Sequence, residues 1–260
     1  MSALLVTTHD GVRTITLNRA ERHNAFDDAL IKELAAAFKD AGHAPGVRAV
    51  VLDSTGKSFS AGADLEWMKR MAGYSHAENL ADAQALSDML EAIDACPRPV
   101  IGVVQGAAYG GGVGLVACCD LAVAAEGATF CLSEVKLGIV PAVISPYVVR
   151  AMGGRAARRY AVTAELFDAA EAKATGLVHE VVPTERLAEV RDKWLARVKG
   201  NGPDAMATAK GLIRRAADQP LDDDLRHWTA GQIAERRASD EGKEGIRAFL
   251  EKRKPGWVEN

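Results

Sequence analysis

The order of hydrophobic periods along the chain sets the strongest limit on its fold. As far as residue 132, β-branched apolar runs alternate with stretches of 3.6-residue period; from Ser145 onward almost every segment is helical. Strands interleaved with helices, then helices alone, predict an α/β core followed by a helical tail. A hairpin is expected at residues 4–8 and 12–17 around Asp10-Gly11. A helix over residues 27–42 carries Leu30, Leu34, Ala37 and Phe38 on one face and ends at Gly42. Buried strands follow at 47–52, 100–104 and 121–124, with a shorter one at 128–132. Ser75-His76-Ala77-Glu78 fits a capping box, opening a helix that Pro97 and Pro99 close. Helical period then returns at 147–152, 156–163, 168–175, 187–198, 203–217 and 221–252, the last broken near Ser239-Asp240, while 178–182 reads as a strand. There is no low-complexity linker and no repeat of fixed length.

Composition narrows the class of partner. A 260-residue chain of 27.6 kDa with 48% hydrophobic and 26% charged residues buries enough surface to fold without disulfide or metal staples. A net charge of −3 and a pI near 6.1 argue against nucleic acid. No apolar run approaches the ~20 residues of a membrane helix, and residues 1–10 lack the features of a signal or transit peptide. The four cysteines, Cys96, Cys118, Cys119 and Cys131, have no metal-binding spacing and read as reduced thiols in a cytoplasmic protein. In the tail, Leu225, Trp228, Ile233, Ile246, Phe249 and Leu250 form an apolar face suited to packing on a neighbouring subunit.

Several familiar motifs fail. Gly56-Lys57-Ser58 lacks the earlier glycine of a P-loop, whose place holds Val51, and a dinucleotide fingerprint from Gly110 would need glycine where Leu115 stands. A nucleophile elbow begun at Gly56 fails at Ser60. What remains is a pair of small-residue loops, 58–64 (SFSAGAD) and 106–114 (GAAYGGGVG), each after a buried strand. Small side chains let backbone N–H groups approach a ligand, and the second loop also opens a helix. Two such donors make an oxyanion hole; the same glycines also serve close strand–helix packing.

Residues 12–26 (VRTITLNRAERHNAF), 59–68 (FSAGADLEWM), 106–120 (GAAYGGGVGLVACCD) and 130–138 (FCLSEVKLG) resemble the enoyl-CoA hydratase/isomerase (crotonase) family, in order and at its separations. The resemblance spans nearly the whole chain, including the FLEKRKP ending at 249–255. It implies a spiral of ββα units, residues 1–198, and a C-terminal helical region, 199–260, that builds trimers or dimers of trimers. It implies that the N–H groups of Ala63 and Gly111 hold a thioester oxygen. Ala25, Ala61, Asp64 and Leu65 would follow the coenzyme A path, mostly through backbone atoms, and Lys252 and Lys254 could reach its phosphates. Coenzyme A belongs to the substrate; neither a further cofactor nor a metal is implied.

Family hydratases place one glutamate three residues after the oxyanion glycine and a second after the next strand. Here the first position is Gly114 and the second is Glu134. Either Glu134 makes both proton transfers, with water in the vacated space, or the enzyme moves a double bond, as single-glutamate Δ3,Δ2-enoyl-CoA isomerases do. A third reading is an acyl-CoA-binding protein with impaired catalysis. Residues 130–149 look like the bacterial methylglutaconyl-CoA hydratase branch of leucine and isovalerate breakdown, and the related isohexenylglutaconyl-CoA hydratases of terpenoid breakdown look similar; this implies room beside Gly114 for a branched acyl group. A carboxylated acyl group also wants a cation, for which Lys69, Arg70 and Arg150 are candidates.

Overall fold

β1 (Leu4–His9) and β2 (Val12–Leu17) form the expected antiparallel hairpin, with Asp10 and Gly11 both at positive φ in its turn. The computed structural model describes residues 2–258; Met1, Glu259 and Asn260, and so the last two residues of the expected tail region, lie outside it. After α1 (Asp28–His43) come β3 (Ala49–Ser54), β4 (Ser58–Ser60), α2 (Leu65–Met71) and α3 (His76–Asp94). Next are β5 (Val100–Val104), β6 (Ala107–Tyr109), α4 (Gly111–Ala117), β7 (Leu121–Ala125) and β8 (Thr129–Cys131). Asp27 caps α1 by accepting from the Leu30 N–H, and the capping box at Ser75 and Glu78 opens α3 with both of its hydrogen bonds.

Each turn of the spiral adds one strand to each of two sheets. β3, β5 and β7 join β1 and β2 in a six-stranded sheet ordered β1-β2-β3-β5-β7-β10, parallel beyond the hairpin. β4, β6 and β8 lie side by side in a four-stranded sheet closed by β9. The spiral of ββα units is therefore present, although its turns differ too much in length to register as a sequence repeat. α1 packs on α3 and buries Leu30, Leu34 and Phe38, each worth about 1.5–3 kcal/mol when fully buried.

α5 (Ser145–Thr163) is interrupted at Gly153, whose φ of 73° and ψ of 152° are not helical, so the two helical segments expected there are present, one on each side of the break. β9 (Phe167–Asp168), α6 (Ala169–Thr175), β10 (Glu180–Val182) and α7 (Leu187–Gly200) complete the body. The tail is α8 (Pro203–Asp218), α9 (Asp223–Ala238) and α10 (Asp240–Leu250), with Ser239 at the expected break. Leu225 is buried within its own chain and Trp228 lies under Arg215, but Ile233, Ile246, Phe249 and Leu250 remain exposed. The accessible surface of 13568 Å² exceeds the ~11,000 Å² that surface scaling gives for a monomer of this mass. Among the described residues no helix is long and apolar enough to cross a membrane. All four cysteines are free; burial pushes their thiols up, away from the reactive thiolate.

Candidate active site

Three neighbouring strands of the small sheet deliver the candidate residues to one edge. β4 runs parallel to β6, with Ser60 opposite Ala108, and β6 runs parallel to β8, with Tyr109 opposite Cys131. Parallel strands end on the same side, so the turns bearing Ala63 and Gly111 and the segment bearing Glu134 all emerge together. The two turns touch. Gly62 has a φ of 82°, and a Cβ built on it would stand 2.7 Å from the Tyr109 carbonyl oxygen and 3.3 Å from the Gly111 nitrogen. Only glycine fits there.

The N–H directions follow from the local pairing. Phe26 donates its N–H to the Gly62 carbonyl at 2.8 Å and accepts the Asp64 N–H at 3.0 Å, which makes a one-residue parallel bridge with Ala63. Backbone groups alternate along an extended segment, so the Ala63 N–H faces away from Phe26. Gly111 is the first residue of α4, where the helix itself supplies no acceptor for its N–H. The packing role of the second loop is present as well: a Cβ on Gly106 or Gly112 would meet the carbonyl oxygens of Lys57 or Ser60.

Glu134 opens a short 3-10 turn, Glu134–Leu137, just beyond β8. A Cβ on Gly110, the residue before Gly111, would lie 3.2 Å from its Oε1. Its Oε2 is buried with no hydrogen-bond partner. Burial raises the Glu134 carboxyl above the usual glutamate value, against a smaller opposing pull from its own backbone N–H. An acid held this way exchanges protons more readily near neutral pH than an exposed one does.

The remaining site residues fall into two groups. Ala61 and Leu65 are exposed on the approach to the turn, and buried Ala25 adjoins the bridging Phe26. Asp64 is 4% exposed, and its carboxylate is fully engaged. It accepts from the N–H groups of Glu66 and Trp67, capping α2, and from Arg19 at 3.1 Å and Arg22 at 3.0 Å. Burial pushes its pKa upward, but the Arg22 hydrogen bond, the two N–H groups and Arg19 together hold it below the usual range. Its side chain anchors the turn, leaving backbone atoms to face a ligand.

Sequence reasoning missed two further anchors. Asn24, fully buried at a φ of 52°, donates to the carbonyls of Thr55 and Ser58 and accepts the Arg19 N–H. Ser60 donates its hydroxyl to the Asn24 carbonyl and accepts the Gly62 N–H. Both lie inside the motifs quoted above; their polarity within a buried stretch was the available signal.

One expectation needs correction. Gly114 does not open space for a branched acyl group or a water: a Cβ there would come within 2.4 Å of Ile144 Cγ2 and 3.0 Å of Ile144 Cβ. The buried Ile144 side chain fills the place where the family's first glutamate would project. Each of the candidate cations has a carboxylate partner, for Lys69 and Arg70 only on the open surface. Lys69 pairs with Glu66 at 2.7 Å, Arg70 with Asp28 at 2.6 Å, and Arg150 with Asp94 at 3.0 Å. Among the described residues, no three His, Cys, Asp or Glu side chains stand together as a metal site.

A ββα spiral that brings two small-residue turns and one buried acid to a single sheet edge is an arrangement suited to an enzyme that stabilises a developing oxyanion. The profile described as enoyl-CoA hydratase/isomerase matches residues 7–260, and the chain belongs to that family. It is similar to a crystal structure of an enoyl-CoA hydratase from Shewanella pealeana, with a TM-score of 0.96 and 43% identity covering 98% of this chain and 96% of that one. Pseudomonas aeruginosa AtuE gives a TM-score of 0.92 at 38% identity, covering 99% of this chain and 100% of that one. Enoyl-CoA hydratase AKT6-1 of Alternaria alternata is 35% identical over 248 residues, 94% of this chain and 80% of its own length.

Proposed function

We propose that this enzyme adds water across the α,β double bond of an acyl-CoA thioester, with 3-methylglutaconyl-CoA as its substrate. The convergence of Ala63, Gly111 and Glu134 at one sheet edge carries the reading. The thioester oxygen accepts from the Ala63 and Gly111 N–H groups. Glu134 takes a proton from water as the oxygen bonds to the β-carbon, and electron density moves onto the thioester oxygen as an enolate. Glu134 then returns the proton to the α-carbon, restoring the carbonyl and its own carboxylate. Losing one such oxyanion donor typically costs about 3–4 kcal/mol of barrier.

With Ile144 in the first acid's place, one carboxylate makes both transfers. The same feature supports a second reading, Δ3,Δ2-enoyl-CoA isomerisation, in which Glu134 moves a proton between two carbons and no water adds. Ala25, Ala61, Leu65 and the Asp64 backbone line the coenzyme A path in either case. The exposed tail residues and the large free surface favour residues 199–260 as the region that assembles a homotrimer or a dimer of trimers.

Incubation with crotonyl-CoA and 3-methylglutaconyl-CoA, followed by the conjugated-thioester absorbance, tests the proposal. Loss of absorbance supports hydration; a gain from a 3-enoyl-CoA with no hydration of either substrate replaces it with isomerisation. Glu134→Gln is expected to lower turnover at least ~100-fold while coenzyme A affinity is nearly kept. Unchanged turnover would remove Glu134 from its role.

A further inference from the structure

Phe26 is joined to both of the turns that supply the candidate oxyanion donors. Its backbone brackets Ala63: the Phe26 N–H donates to the Gly62 carbonyl at 2.8 Å, and its carbonyl accepts the Asp64 N–H at 3.0 Å. Its ring reaches the other turn. A Cβ built on Gly111 would lie 2.3 Å from Phe26 Cζ and 3.2 and 3.3 Å from its two Cε atoms, so the tip of the ring is seated end-on against Gly111.

Phe26 is itself held fast. Asn24, two residues earlier, donates its side-chain amide to the Thr55 and Ser58 carbonyls, and its own carbonyl accepts the Ser60 hydroxyl. Asp27, the next residue, caps α1 and pairs with Arg19 at 3.0 Å. The Phe26 ring also neighbours the buried indole of Trp67, at a centroid separation of 6.4 Å, and that indole donates to Asp82 of α3 at 3.2 Å.

Ala63 and Gly111 carry only a methyl group and a hydrogen, which lets a ligand come close but gives neither residue a side chain to fix its own position. Glycine is the most conformationally free residue. An oxyanion donor works when held about 2.7–3.1 Å from the oxygen it serves, and a misplacement of about 1 Å costs on the order of 100-fold in rate. The brace has to come from a neighbour.

We infer that Phe26 is a positioning residue: its backbone and ring together set the separation and direction of the Ala63 and Gly111 N–H groups, so that both reach one carbonyl oxygen. This rests on the oxyanion reading above and adds the residue that keeps the two donors in register. Phe26 acts through those donors and takes no part in the proton transfers.

The test separates positioning from packing by using a second core phenylalanine as its control. Phe26→Leu withdraws the side chain from Gly111; Phe38→Leu makes the same exchange in α1, at a residue that is likewise buried. Both should lower Tm. Only Phe26→Leu should lower kcat for the conjugated thioester, roughly 10- to 100-fold with KM changed less than about threefold. Phe26→Met, whose unbranched chain extends further than leucine's, should recover part of the loss.

The decisive readout needs no turnover: the infrared carbonyl stretch of isovaleryl-CoA, isotopically labelled at the thioester carbonyl and bound to the full-length protein. Two well-aimed N–H groups lower that frequency below the free thioester's. Phe26→Leu should return it part of the way, while Phe38→Leu leaves it lowered; if Phe26→Leu does not fold, Phe26→Met is read in the same way. A frequency that stays lowered in the Phe26 variant, or that rises equally in Phe38→Leu, overturns the inference. A bound thioester whose frequency is not lowered in the unaltered protein removes the oxyanion hole itself, and the inference with it. If the frequency is lowered in the parent and returns in Phe26→Leu although no conjugated thioester is hydrated, the hydratase reading fails and the assignment of Phe26 stands.

Discussion

Replacing Gly114 with alanine drives a methyl group into Ile144. The built Cβ lies 2.4 Å from Ile144 Cγ2 and 3.0 Å from its Cβ, with Leu90 Cδ2 at an ordinary 3.6 Å. Overpacking of this kind costs about 1–3 kcal/mol. Exchange of glycine for alanine inside a helix offsets about 1 kcal/mol of that, so the single variant should lose about 0–2 kcal/mol. Ile144→Ala alone should lose about 2–5 kcal/mol to the cavity it leaves. In the double variant the 2.4 Å overlap with Ile144 Cγ2 vanishes, leaving the alanine Cβ at 3.0 Å and Leu90 Cδ2 at 3.6 Å, while the helix gain stays. The pair should then be about 1–3 kcal/mol more stable than the two single effects predict, or about 2–12 °C in Tm at a few degrees per kcal/mol. Urea titration followed by far-ultraviolet circular dichroism, at one protein concentration so that association does not shift the curve, measures this coupling. A cycle that closes to within about 0.5 kcal/mol of additivity would show that Ile144 moves aside freely. The occupied acid position would then be no barrier to a glutamate at 114.

Glu134 gives opposite signs for activity and stability. Its pKa is raised by burial, so the native state binds a proton more tightly than the unfolded chain, and stability falls as pH rises from the ordinary glutamate value through the raised one. Glu134→Gln should therefore melt higher than the parent at pH 7.5, with the gap closing below pH 4, while the acid limb of kcat/KM lies above the usual glutamate range. An equal or lower Tm at pH 7.5 would refute the stored cost. Asp64→Ala should lose about 1–3 kcal/mol, because it uncaps α2 and removes one of the two carboxylate partners of Arg19, which keeps Asp27 at 3.0 Å; a loss under about 0.5 kcal/mol in urea would show that the turn holds without its anchor.

The hairpin at Asp10-Gly11, the capping box at Ser75 and the break at Ser239 were legible because their signals are local: a turn dipeptide, two side chains one helical turn apart, a residue that ends one helix and caps the next. α2 leaves no mark in the sequence because its seven residues carry too little period to stand out. β4 and β6, at three residues each, are too short to alternate, and they order the site only by lying beside each other and β8.

By itself the sequence determined which segments want burial and which turns admit backbone to a ligand, since periodicity and residue size act on near neighbours. It also carried Glu134 and the two small-residue loops within motifs whose order is plain along the chain. The tertiary structure alone decided that Ile144 occupies the space beside Gly114 and that Asp64 is consumed by Arg19 and Arg22. Such contacts join residues 30 or more positions apart, as Gly114 and Ile144 are. No local pattern encodes them, because their energy comes from shape and charge that meet only once the spiral has closed.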